Sequence, residues 1–161
     1  GPNGKLLPTF PRAVHMVQLD DWQEATEVND RTRHAYFQED FLPLEEHGQL
    51  QLISGNVEIV PGVWLKRIGG HTSGHQMLFI ESDGDMAACL GDVFPTRNHL
   101  PYHYITAFDS YPMDTIASKR ELLLQAESER WLIYLGHGVD EKAGFVDNHN
   151  GRLVFTPVPV S

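Results

Sequence analysis

Cysteine is nearly absent from this chain. Cys89 stands alone among 161 residues, so no disulfide can close within it, and a reducing compartment, the cytoplasm, is the default expectation. Long apolar runs are missing too: nothing approaches the ~18 consecutive apolar residues of a membrane-crossing helix. Positive charge is scarce, with 12 Lys and Arg against 22 Asp and Glu for a formal net charge of −10 at pH 7. No basic stripe is left to neutralise nucleic-acid phosphates or to settle on an anionic membrane, which excludes both as partners. The opening Gly1-Pro2-Asn3-Gly4-Lys5 has neither a methionine nor a signal-like apolar stretch. It reads as the interior of a loop or a cut end, and the native N-terminus is expected elsewhere.

What is present is an ordinary globular composition, 41% hydrophobic and 21% charged. The length supports one domain with a real core and not two comfortable ones. Val14–Leu19 predicts a short strand, and Asp20-Asp21 a helix start before Trp22–Glu27. Asn29-Asp30 is placed to cap a helical piece over Arg31–Phe37, and Phe41–Gly48 predicts a packed loop or helical turn. Leu50–Ile53 and Val57–Val60 flank Ser54-Gly55-Asn56 and predict a hairpin, after which Pro61-Gly62 turns into a strand over Val63–Ile68. Gln76–Glu81 and Met86–Leu90 predict a second hairpin around Ser82-Asp83-Gly84-Asp85. Thr96–Ala107 predicts an irregular loop. Ser110 is placed to cap a helix with Pro112 in its first turn and an apolar stripe through Met113, Ile116, Ala117, Leu123 and Leu124. Trp131–Leu135 predicts a buried strand, and Gly144–Asp147 a partner for Leu153–Pro157.

Three polar residues sit where apolar strands begin or end: His71 before Gln76–Glu81, Asp92 after Met86–Leu90, and His137 after Trp131–Leu135. A hairpin sends the chain out and back, so Asp92 returns to the edge that holds His71. A helical crossover then makes the next strand parallel, and its C-terminal end delivers His137 to the same edge. Imidazole nitrogen and carboxylate oxygen are the donors of catalytic zinc, whose bound water ionises near neutral pH. The plainer reading, three unrelated polar turns, fits one histidine better than it fits three matched strand ends.

On these residues the chain resembles a known family. Gly70-His71-Thr72-Ser73-Gly74-His75-Gln76, Leu90-Gly91-Asp92 and Leu135-Gly136-His137, separated by 21 and 45 residues from ligand to ligand, look like the metallo-β-lactamase-fold metallohydrolases, especially the lactonase-like and broad hydrolase members. The similarity runs from about Pro8 to about Gly138. It implies an α/β chain in an αβ/βα sandwich, with a mixed sheet and helices on one face. It implies two zinc ions, with iron or manganese accepted by the same donors. A hydroxide between them attacks an ester, lactone, thioester or amide carbonyl, or phosphorus. It also implies roles: His71 binds the first metal, Asp92 bridges both as the catalytic carboxylate, His137 binds the second, and His75 supports the ligands from behind.

The departure is large. The family's H-x-H-x-D-H string, which supplies four more ligands, does not occur, and none of the nine histidines forms an H-x-H pair. In full-length relatives a segment like Gly4-Lys5-Leu6-Leu7-Pro8-Thr9-Phe10-Pro11 follows that string closely. Residues 1–161 are therefore expected to be a single incomplete domain, the C-terminal half of such an enzyme. With three of about seven ligands, the isolated chain is expected to hold zinc weakly and to be inactive. Its uncovered sheet calls for the missing half or a second copy.

His99, Tyr102, His103 and Tyr104 are candidates for the wall of a small-molecule substrate pocket, or are simply packed loop. Cys89 reads as an inert thiol within a strand, and Trp22, Trp64 and Trp131 read as core. Glu39-Asp40 and Glu45-Glu46 read as a solvated face. Two other functions stay open: a non-catalytic binding or assembly module derived from the fold, and a single-metal oxygenase using two histidines and a carboxylate.

Overall fold

The computed structural model describes residues 6–159, so the Gly1–Lys5 opening lies outside the described residues. The chain divides into two compact units, one ending at Ser54 and the other beginning at Gly55. In the first, strands β1 (His15–Gln18) and β2 (Leu50–Ile53) pair in parallel, joined through helices α1 (Leu19–Thr26) and α2 (Gln38–Glu46). Asp20 and Asp21 occupy the first turn of α1, where carboxylates suit the helix dipole. Trp22 meets Phe41 edge-on at 5.4 Å, fixing one helix to the other.

Two expectations fail in this unit. Residues 31–37 form turns and no helix. The Asn29 side chain accepts from the Arg31 and Thr32 amides at 2.8 and 3.2 Å, and this closed local set ends the run after one turn. Helix α2 is longer than the expected turn and begins three residues earlier, at Gln38.

The second unit is a seven-stranded sheet in sequence order: β3 (Val57–Val60), β4 (Val63–Arg67), β5 (Gln76–Ser82), β6 (Asp85–Cys89), β7 (Leu132–Tyr134), β8 (Ala143–His149) and β9 (Arg152–Val158). Every neighbouring pair is antiparallel except β6 and β7, which are parallel and linked by helix α3 (Pro112–Ser128). The sheet is thus mixed, as expected. The hairpin expected between residues 50–53 and 57–60 does not form. β2 belongs with β1, and β3 turns at Pro61-Gly62 to pair with β4. Asn56 is used instead to accept the Arg67 amide at 3.0 Å, at the far end of that real hairpin.

One face of the sheet carries the core. Met77, Phe79, Ala88, Leu90, Ile133 and Val146 pack against Leu122, Leu123 and Ala126 of α3, with Trp131 set edge-on to Phe79 at 5.0 Å. The period-two alternation of β5 turns Leu78 and Ile80 to the other face. There they remain 37% and 40% exposed, beside Tyr134 at 48%, around an apolar groove of about 510 Å³ that also takes in Cys89, Leu132 and Val158. Among the described residues no helix is long and apolar enough to cross a membrane.

Candidate metal and active site

The parallel β6–α3–β7 unit puts two strand ends at one edge, and the chain leaving each carries a polar side chain. Beyond β6, Leu90 leads into a tight turn over Gly91–Val93 that presents Asp92. Gly91 has φ of +57°, and a Cβ there would come within 2.6 Å of His75 Nε2. That ring also lies 3.3 Å from the Leu90 carbonyl, to which its Nε2–H can donate, so His75 props the turn from behind. Beyond β7, His137 is held by its own amide, which donates to the Pro95 carbonyl at 3.1 Å.

His71 arrives from the loop before β5. Gly70 has φ of +93°, and a Cβ would sit 2.8 Å from the Thr115 backbone, so only glycine lets this loop lie against the first turn of α3. The loop is stitched down by the Tyr111 amide donating to Gly70 O and the Ser110 amide to His71 O, at 3.0 and 2.9 Å. Ser110 therefore does not cap α3 as expected: the cap position is Tyr111, with no side-chain bond, and the Ser110 backbone serves the His71 loop.

The three side chains meet around one carboxylate. His137 Nε2 lies 2.8 Å from Asp92 Oδ1, and His71 Nε2 lies 3.4 Å from Asp92 Oδ2. The other nitrogen of His71, Nδ1, is 2.8 Å from Asp109 Oδ1, where Nδ1–H donates to a carboxylate that also accepts from Thr106 Oγ1 at 2.6 Å. With Nδ1–H so engaged, a neutral His71 turns the lone pair of Nε2 toward an oxygen of Asp92. Two lone pairs facing each other across 3.4 Å leave a place for a cation, since bonds of ~2.0–2.2 Å reach both donors. The donor set therefore fits metal, divided between the two oxygens of Asp92. Among the described residues no group of three or more His, Cys, Asp or Glu is placed to hold a single ion. His137 and His71 meet different oxygens of Asp92.

The aromatic loop lies differently. A pocket of about 230 Å³ beside His137 is lined by Thr96, Arg97, Asn98 and residues 138–141, and bridged by an Arg97–Glu141 ion pair at 2.5 Å. His99, Tyr102, His103 and Tyr104 are not among its lining residues. His99 Nδ1 pairs with Thr96 Oγ1 at 2.8 Å, and burial, then the nearby Lys119 charge, lowers the His99 pKa. Tyr102 packs on the core, and His103 stacks edge-on to Tyr104 at 4.7 Å. Asp109 and Lys119 were not foreseen from the sequence. Nothing in the sequence singles out Asp109 beside the expected cap at Ser110. Lys119 carried a usable signal: it occupies the buried stripe with Thr115, Leu122, Leu123 and Ala126, at spacings of four, three, one and three.

The comparisons with known proteins bear on the fold. No family model matches the chain. An N-acyl homoserine lactonase of Bacillus thuringiensis is 30% identical over 144 residues, covering 88% of this chain and 52% of the lactonase. The structure of a probable metal-dependent hydrolase from Staphylococcus aureus superposes with a TM-score of 0.82 at 30% identity, covering 94% of this chain and 55% of that one. A hydrolase of the beta lactamase superfamily has the same fold, with a TM-score of 0.78 at 15% identity over 94% of this chain and 57% of its own. The chain thus spans about half the length of the curated relatives it matches. By sequence it is similar to these lactonases and metal-dependent hydrolases over about half their length, and its fold is that of the metallo-β-lactamase superfamily.

Proposed function

We propose that this chain is the C-terminal half of a metal-dependent hydrolase acting on a lactone, ester, thioester or related bond. The supporting observation is the Asp92 carboxylate with one imidazole on each oxygen. In this reading His71 and Asp92 contribute to one cation, and Asp92 and His137 to a second. Zinc is the metal best suited to imidazole and carboxylate, with iron and manganese as alternatives. Such a metal, when bound, polarises a carbonyl and acidifies its water.

The chain's own residues do the positioning. Asp109 holds His71 in the tautomer that leaves Nε2 available, and Thr106 holds Asp109. His75 keeps the Gly91–Asp92 turn in place. Asp92 is the catalytic carboxylate in this reading because each of its oxygens faces one of the two imidazoles. The pocket beside His137 receives part of a small-molecule substrate, and of the aromatic loop His99 reaches its wall through Thr96.

Residues 1–161 then form part of one incomplete domain. The apolar face around Leu78, Ile80 and Tyr134 is covered in the whole protein by the portion that the relatives carry beyond the matched half. Expression of a chain extended to the relatives' full length, loaded with zinc and assayed against lactones and esters, tests the proposal. Turnover that falls at least ~100-fold on Asp92→Ala supports it. An extended, folded protein that binds no zinc and cleaves nothing refutes it.

A further inference from the structure

The buried stripe of α3 is interrupted by one charge. Lys119 is 0% exposed, yet its neighbours on the stripe are Thr115, Leu122, Leu123 and Ala126. Burying an ammonium is unfavourable unless its protons find acceptors. They find two: Nζ donates to the His99 carbonyl at 3.2 Å and to the Tyr104 carbonyl. Those carbonyls lie at opposite ends of the 99–104 segment, whose own backbone ties are few. The His99 amide donates to Thr96 O, the Leu100 amide to Arg97 O and the Tyr104 amide to Pro101 O.

The path of this loop gives the contact its meaning. It starts just after Asp92, passes over Lys119, and two residues beyond Tyr104 reaches Thr106, which together with His71 grips Asp109. A leucine or methionine at 119 would satisfy the helix stripe equally well and leave both carbonyls without their donor. The ammonium therefore does something for the loop that the core does not need.

We propose that Lys119 is a positioning residue: its buried ammonium clamps the 99–104 segment and thereby fixes Thr106, Asp109 and the ring of His71 behind the candidate site. The clamp stands on these contacts alone; only its bearing on metal binding rests on His71 being a ligand.

Amide exchange on the full chain tests it, comparing Lys119→Met with Leu123→Ala. Leu123 is fully buried on the same helix, so its truncation loosens the core without removing a bond to the loop. Lys119→Met should speed exchange at Leu100, Tyr104 and Asp109 at least ~10-fold relative to β6 and β7, and shift the His71 imidazole resonances. Leu123→Ala, compared at matched global stability, should do neither. Equal loop exchange in the two variants, or an unmoved His71 ring, overturns the proposal. If Lys119→Met does not fold, the unmutated chain decides. Slowly exchanging Nζ protons coupled to the His99 and Tyr104 carbonyls support the clamp, and a freely exchanging ammonium overturns it. Zinc titration of the unmutated chain separates the two readings: an intact clamp beside a His71 that zinc leaves unmoved sinks the ligand assignment and not the clamp.

Discussion

Burial holds the Lys119 ammonium at a pKa of about 8 in place of the ordinary 10.5, with Asp109 partly opposing the shift. The sign of the consequence follows directly. Between those values the unfolded chain keeps a proton that the folded chain has released, so stability rises with pH across the window. The shift corresponds to about 3 kcal/mol, a cost present in full below pH ~8 and lifted by pH ~10.5. Lys119→Met removes the titrating group. It also deprives the His99 and Tyr104 carbonyls of a donor, at ~1–3 kcal/mol each, but that penalty does not depend on pH. Urea unfolding followed by tryptophan emission, to which Trp131 contributes from its buried place against Phe79, reads the balance at each pH. His99 titrates below this window, so between pH ~7 and ~10.5 the difference between the two proteins isolates Lys119. The advantage of the unmutated chain should grow by about 3 kcal/mol from pH ~7 to ~10.5. In the same variant the His99 pKa should rise toward its ordinary value, because the Lys119 charge is the second cause of its depression after burial. Stability curves that run parallel, within ~0.5 kcal/mol, would refute the reasoning.

Three further outcomes follow from the site and the sheet. Gly91→Ala meets both a left-handed φ and His75 at 2.6 Å, and should destabilise the fold well beyond Gly84→Ala, whose Cβ meets open space and bears only the ~1–2 kcal/mol conformational cost; paired denaturation midpoints check this. Asp109→Asn should weaken zinc binding ~10–100-fold, measured by competition with a chelating dye, since it loosens the tautomer and orientation of His71. Leu78→Lys with Ile80→Lys should change the stability of this chain by less than ~0.5 kcal/mol each while cutting hydrophobic-dye binding, because both side chains already face water; a large loss of stability would mean the face is covered in the isolated chain.

The second unit was legible where local signals and long-range pairing agree. The turn at Ser82–Asp85 and the strand–helix–strand pattern through Leu135 define β5, β6, α3 and β7, and with them the edge that carries Asp92 and His137. The 50–60 region misled because a compact turn signal implies a hairpin only when the flanking strands pair with each other, and here each found another partner. Asn29-Asp30 misled similarly: a capping side chain can close a single turn as readily as start a helix. The His71 orientation depended on Asp109, 38 residues away, a pairing that no spacing rule announces. Lys119 was hidden by its own chemistry, since a lysine on a helix is read as solvent-facing until the stripe it interrupts is drawn.

The two faces of the sheet divide the labour, and this bears on how the candidate side chains are kept in order while one face stays open. Among the described residues, the contacts seen to fix the three side chains belong to the helix side or the strand-end loops: Gly70 against Thr115, the 110–111 amides on the His71 loop, His75 behind Gly91, His137 hung from Pro95, and Lys119 under the loop between. None involves Leu78, Ile80 or Tyr134 on the other face. An uncovered face costs solubility and leaves apolar area in water, but it does not touch the groups that aim the donors. Under the proposed function, what these residues would lack is the number of donors and not their placement. Weak cation binding by this chain is therefore consistent with strong binding by a protein that adds donors across from Asp92, with no rearrangement of these residues required.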